Sequence, residues 1–277
     1  MIESYIYKKE VDWSVLNYGI NIPVSFQDVF YTNMKFRLKR GESKKIKLIF
    51  EQGEYPVMLI NQAFNERKYP NHRNILQMRY TPKSEIAKTL RTIFNSSCEY
   101  LYKEKALLIN KRKQIIVPEN IKEYIAVYAT PIDDTFLIEC ITNDEIIEAK
   151  KSLQKFTEFE IEQLMTATDS SSIISKIGVI KIRKLDNSIA DALKTAYKYK
   201  CQICGLNIGE LYDVSIIHAH HIEYFSVSLN NNADNIMIIC PNHHSIIHNT
   251  NPIFDRKQKV YIYPNGYREG LALNKHL

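Results

Sequence analysis

Between residues 201 and 248 the chain carries Cys201-Gln-Ile-Cys204, then His218, His220 and His221, then Cys240-Pro-Asn-His243-His244, and finally His248. Six of its eight histidines and three of its five cysteines fall in this stretch. Two thiolates three residues apart on a tight turn can reach one ion at about 2.3 Å, and Cys240-x-x-His243 repeats that step after 35 intervening residues. The four side chains Cys201, Cys204, Cys240 and His243 form a Cys3His set, which closes a tetrahedral zinc site and leaves no position open for chemistry. Accidental pairs of buried cysteines would not explain why both halves share one spacing. Cys98 and Cys140 have no such neighbours and are read as small buried hydrophobes. An odd cysteine count with metal-type spacings argues against a disulfide framework.

The remaining histidines need a second explanation. His244 and His248 stand at i and i+4, so on a helix both project from one face and can ligate one ion. Val214 to Ala219 reads as a strand ending at His220 and His221. A polar loop, 226–234, returns the chain into a second apolar run, Asn235 to Ile239, and the helix follows.

Strand, loop, strand and helix with histidines at these places resembles the His-Asn-His (HNH) nuclease family, whose ββα-metal fold also serves colicin nucleases and many restriction and homing endonucleases. The resemblance rests on Ala219-His-His-Ile222, Asp234-Asn235 and Ile239-Cys-Pro-Asn-His-His244. It implies that His220, His244 and His248 hold a catalytic divalent ion, Mg2+ or another, and that His221 is the general base. It implies that the Asn235 amide holds this base in register. Because the family often completes its zinc site with a second Cys-x-x-Cys, His243 and His244 are able to exchange roles. The three-residue step from Cys240 favours His243 for zinc. His218 is read as structural, with a place beside the metal ligands, and after that a ligand role, as the alternatives. His72 and His276 are read as surface residues.

Charge is spread unevenly along the chain. Residues 1–130 hold 22 Lys and Arg against 13 Asp and Glu, residues 131–182 hold 5 against 10, and residues 183–277 hold 10 against 8. A basic face attracts phosphate polyanions, although a mild excess of lysine is also an ordinary solvated surface. Within the basic half, Arg37, Arg40, Arg67, Lys68, Arg73 and Arg79 are the candidate DNA contacts, interleaved with Tyr69, Asn71 and Asn74. This half reads as mostly β. Lys45–Phe50 and Tyr55–Ile60 form a hairpin about 51–54 with Gly53 free to take positive φ, and Pro56 puts the second strand at an edge or at its first residue. A helix capped by Ser84 follows, then strands over 121–129 and 135–141. Tyr18 to Pro23, Leu38-Lys-Arg-Gly41 and the basic hairpin resemble the pseudobarrel DNA-recognition domains, of plant-transcription-factor type, that some restriction enzymes carry ahead of a nuclease.

The expected class is α+β in three parts: a β-rich, pseudobarrel-like recognition domain over 1–142, a helical and Ser-rich connector over 143–182, and a zinc-containing ββα-metal nuclease domain over 183–277. Short helices are expected over 143–150 and 158–165. A Ser188-x-x-Asp191 capping box should open a helix running through Lys200. No apolar run reaches the roughly 18 residues of a membrane span, and no secretory signal is recognisable, so a cytoplasmic protein is expected. The expected activity is site-specific cleavage of double-stranded DNA, as by a type II restriction enzyme, with structural zinc, a catalytic divalent ion and a homodimer on the DNA. The competing readings are a nuclease that senses a methylated base and a non-catalytic zinc protein that binds DNA.

Overall fold

The computed structural model describes residues 4–32, 34, 36–64, 73–110, 113–166 and 187–277. It is a mixed α+β protein that divides into two compact units, residues 1–147 and 148–277.

The first unit is organised on a seven-stranded sheet in the order β1-β6-β7-β3-β4-β5-β2. Its strands are β1 (Ser4–Glu10), β2 (Gly19–Ile22), β3 (Ser43–Phe50), β4 (Gly53–Asn61), β5 (Leu76–Arg79), β6 (Tyr124–Ala129) and β7 (Thr135–Ile141). Neighbours run antiparallel except β3 and β7, which pair parallel from Lys47 opposite Thr135 to Ile49 opposite Leu137. Alternation drives the local structure: in β3 and β4 buried Ile46, Leu48, Val57 and Leu59 are separated by exposed or partly exposed residues. Helices α1 (Trp13–Asn17), α2 (Val24–Thr32), α3 (Glu85–Ile93) and α4 (Asn95–Leu107) complete the unit. Asp12 caps α1 by accepting from Val15 N–H, and Ser84 caps α3 by accepting from Ala87 N–H. Phe30 of α2 stacks on Phe136 of β7, with ring centroids 4.1 Å apart, which ties helix to sheet.

Two details of the hairpin differ from the sequence expectation. The positive φ falls on Glu51, at 52°, so Gly53 instead opens β4, where a Cβ would lie 2.8 Å from the Tyr55 ring. Strand β4 is interior, but β5 pairs only with Met58–Asn61, so Pro56 stands beyond the reach of that neighbour. Proline is tolerated there because no β5 carbonyl waits for its missing N–H.

The division between the units falls within α5 (Asn143–Leu153). The second unit continues with α6 (Glu158–Thr166), α7 (Asn187–Ala196), β8 (His218–His221), the short α8 (Phe225–Ser228), β9 (Ile236–Ile239) and α9 (Pro241–Thr250). A three-stranded antiparallel sheet follows, made of β10 (Ile253–Asp255), β11 (Val260–Ile262) and β12 (Arg268–Gly270). All four residues of β9 are buried, and with Tyr197, Cys201, Ile217, Ile247 and Tyr261 they form the unit's apolar core. Strand β8 is shorter than the apolar run suggests. It pairs only from His218 opposite Ile239 to His221 opposite Ile236, and Val214–Ile217 find no strand partner because β9 ends where the chain turns into α9. Helix α7 stops at Ala196 instead of reaching Lys200, since Lys198 and Tyr199 take positive φ, 53° and 54°. The Ser-rich part of the connector and the Ser188 side chain lie outside the described residues.

Candidate functional site

Among the described residues, two clusters of metal-ligating side chains stand within the second unit. The first joins Cys201, Cys204, Cys240 and His243, whose donor atoms all lie within 4.8 Å of one another. The Cys201–Cys204 turn is closed by two backbone bonds: Gly205 N–H donates to Cys201 O at 2.8 Å, and Cys201 N–H to Leu206 O at 2.9 Å. Gly205 takes φ +74°, which glycine adopts without penalty. Gln202 fastens the turn to β9, since its N–H donates to Ile238 O at 2.8 Å and its Oε1 accepts from Ile238 N–H at 2.7 Å. Cys240 is the N-cap of α9 and Pro241 follows in the first turn, which aims His243 back toward the thiols. His243 Nδ1 lies 3.1 Å from Cys240 Sγ and 3.6 Å from Cys201 Sγ. Its other nitrogen, Nε2, is 3.4 Å from Glu269 Oε1, and the remaining Glu269 oxygen accepts from Tyr263 O–H at 2.7 Å.

This donor set fits a zinc-like ion. Burial pushes the Cys201 thiol up to about 12, so a cation beside it is what would favour its thiolate form. A carboxylate behind the ligating histidine fixes its ring, as zinc sites commonly arrange.

The second cluster joins Glu162 of α6, His220 of β8, and His244 and His248 of α9. Glu162 Oε2 lies 2.6 Å from Nε2 of both His244 and His248, while Oε1 is 3.0 Å from His220 Nδ1 and accepts from His221 N–H at 2.9 Å. Burial works against ionisation of Glu162, but hydrogen bonds from the His220, His244 and His248 rings outweigh it and hold the carboxyl well below its usual range. Burial pushes His220 down, with Glu162 only partly offsetting it, so this imidazole is neutral and offers a lone pair at pH 7. Aromatic rings wall the cluster: Phe159 stands 5.9 Å from His244 and 5.8 Å from His248, and Tyr224 stacks on His248 at 5.8 Å. These donors fit a divalent ion by type, three imidazoles and one hard carboxylate.

The adjacent residues His243 and His244 thus turn to different clusters. His218 is exposed and stacks on His244, ring centroids 4.7 Å apart, outside the four donors. His221 is buried, and its Nε2 lies 2.8 Å from Asn231 Oδ1. The Asn235 side chain makes its hydrogen bonds elsewhere than to that ring. Its Nδ2 donates to Glu223 O and Asn230 O, at 2.9 and 3.0 Å, and its Oδ1 accepts from Glu223 N–H and Arg256 Nη2. It clamps the two ends of the loop between β8 and β9. His276, expected on the surface, is partly buried, with Nε2 3.0 Å from both Ala233 O and Ile236 O and Nδ1 2.7 Å from Tyr197 Oη.

Sequence reasoning missed Glu162, Asn231 and Glu269. Glu162 lies 58 positions before His220 in an acidic stretch, where a carboxylate next to the apolar Ile161 was its single distinguishing mark. In the first unit, exposed Arg37 pairs with exposed Asp28 at 2.9 Å, and Arg40 lies over the Phe64 ring with Nη2 3.4 Å from Asn74 Oδ1. Arg73 and Arg79 are exposed, while Arg67, Lys68 and His72 lie outside the described residues. Among the described residues no helix is long and apolar enough to cross a membrane. Comparisons with protein-family models, with curated proteins and with solved structures return no match.

Proposed function

We propose that the chain is a metal-dependent, site-specific endonuclease of double-stranded DNA, with a β-rich recognition domain ahead of an HNH module of ββα-metal type. The observation that carries this reading is the buried His221 ring. One nitrogen is held by Asn231, and the other, Nδ1, has no hydrogen-bond partner among the described residues and lies 3.7 Å from the carboxylate gathered among three histidines. A basic nitrogen beside a divalent-ion site is what hydrolysis of a phosphodiester needs.

In this reading His221 Nδ1 takes the proton from an attacking water. His220, His244, His248 and Glu162 hold the ion, which when bound would draw charge from a phosphate oxygen. Phe159 and Tyr224 keep bulk water from the histidines. Cys201, Cys204, Cys240 and His243, with zinc, fix α9 against the strands, so that His244 and His248 face His220. Arg37, Arg40, Arg73 and Arg79 are the proposed contacts to the DNA backbone and bases, and two chains pair on the duplex to cut both strands.

Glu162 favours a second reading. Four protein donors would close a tetrahedral site, as in a structural zinc centre, whereas a six-coordinate Mg2+ or Mn2+ would keep positions for water and phosphate. Incubation of plasmid DNA with the protein in Mg2+ or Mn2+, followed by sequencing of the ends, separates the two. Cleavage at a fixed site is expected, with His221→Ala slowing it by about 10²-fold or more. A zinc-loaded protein that binds DNA but never cuts it would establish the non-catalytic reading.

A further inference from the structure

If His221 is the general base, as proposed above, its orientation depends on a residue outside the three motif elements that suggested the module. We infer that Asn231 is the positioning residue for this base, and that its side-chain carbonyl sets which ring nitrogen is free.

The ring of a neutral histidine carries one proton, and the nitrogen that lacks it is the only one able to accept another. Asn231 Oδ1 lies 2.8 Å from His221 Nε2, with both residues buried. A carbonyl oxygen accepts and cannot donate, so in the neutral ring this contact places the proton on Nε2 and leaves the lone pair on Nδ1. Among the described residues Nδ1 is buried without a hydrogen-bond partner, 3.7 Å from Glu162 Oε1, which is itself 3.0 Å from His220 Nδ1. The free lone pair is therefore beside the donor cluster. The Phe225 ring, 5.6 Å away and inclined at 50°, packs the imidazole from the side and limits its rotation.

Asn235 acts on the backbone instead. By holding Glu223 and Asn230 it fixes the chain two residues after His221 and one residue before Asn231. The two asparagines thus have separable roles: Asn235 fixes the loop and Asn231 fixes the ring. Removing the Asn231 acceptor should leave DNA binding intact while the base loses its tautomer and aim, a loss in the chemical step alone.

The test compares Asn231→Ala, Asn231→Leu and Asn231→Asp in the full-length protein. The Ala and Leu variants should lose roughly 10- to 100-fold in kcat, part of the 10²–10⁴-fold that a positioned base contributes, with KM for DNA within about twofold. Asp retains an acceptor oxygen and should restore most of the rate. Nitrogen-15 NMR of the His221 ring gives a readout independent of cleavage. The wild-type and Asp chains should show a protonated Nε2 and a bare Nδ1, and the Ala chain a mixture. Wild-type kcat in the Ala variant, or a protonated Nδ1 in the wild-type ring, would overturn the assignment. Should the wild-type chain fail to cut DNA, the nuclease reading falls, and the NMR spectrum still decides which nitrogen Asn231 leaves free.

Discussion

At the scale of single residues, histidines of the second unit that look alike in the sequence meet different partners. His243 faces thiols, His220, His244 and His248 face a carboxylate, and His276 faces backbone carbonyls. Burial, with backbone hydrogen bonds only partly offsetting it, depresses the His276 pKa. The unfolded chain, with a histidine near 6.5, then binds a proton that the folded chain refuses, and the linkage has one sign. The contribution is fully present above about pH 6.5 and is lost as the pH falls from there through the depressed folded value. Thermal unfolding followed from pH 7.5 to 5.5 should show a falling midpoint, and His276→Gln should flatten that fall. An unchanged slope in the variant would remove His276 as its source.

At the scale of elements, strand β2 depends on one backbone position. Gly19 takes φ +147°, and a Cβ there would lie 2.3 Å from Met78 O and 3.0 Å from Arg79 Cα on the paired strand β5. No side chain can retreat from a backbone oxygen, so Gly19→Ala must shift β2 or give up its ladder with β5. A loss of about 1–3 kcal/mol is expected from strain of this kind, measured by urea unfolding of the full chain. A change below about 0.5 kcal/mol would mean that the edge strand is not needed for stability. The hairpin of β3 and β4 was legible because alternating apolar residues mark the faces of its strands. Helices α1 and α2 were not: each is short, α1 has five residues, and their apolar residues also suit a strand.

At the scale of the molecule, the second unit draws its order from segments far apart in sequence. The Cys201–Cys204 turn, the start of α9 and Glu269 of β12 meet at one cluster, and Ala272 and Leu273 N–H donate to Ile203 O and Gln202 O across the knuckle. If the Cys3His cluster holds zinc, as proposed, removing the ion should leave Cys201 and Cys240 buried with neither charge partner nor apolar packing in its place. Hydrogen exchange after strong chelation is expected to show lost protection over 200–248, with β3 and β7 in the first unit unchanged. Retained protection at 201–204 and 240–248 without bound metal would show that the sulfur cluster is held by packing alone.

The sequence by itself determined the Cys3His spacing, the i, i+4 pair His244 and His248, and the presence, though not the full extent, of the two strands between Cys204 and Cys240, because each rests on a short-range period that local geometry enforces. It also carried the uneven charge of the first half. Only the tertiary structure decided that Glu162 enters the histidine cluster, that Asn231 and not Asn235 hydrogen-bonds to the His221 ring, and that Glu269 backs His243. Each of these contacts joins residues whose separation, 10 to 86 positions, follows no helical or strand period. The stretch from Cys201 to His248 names most of the donors, and the folding of its own loop before β9, with α6 and β12 packed beside it, supplies Asn231, Glu162 and Glu269.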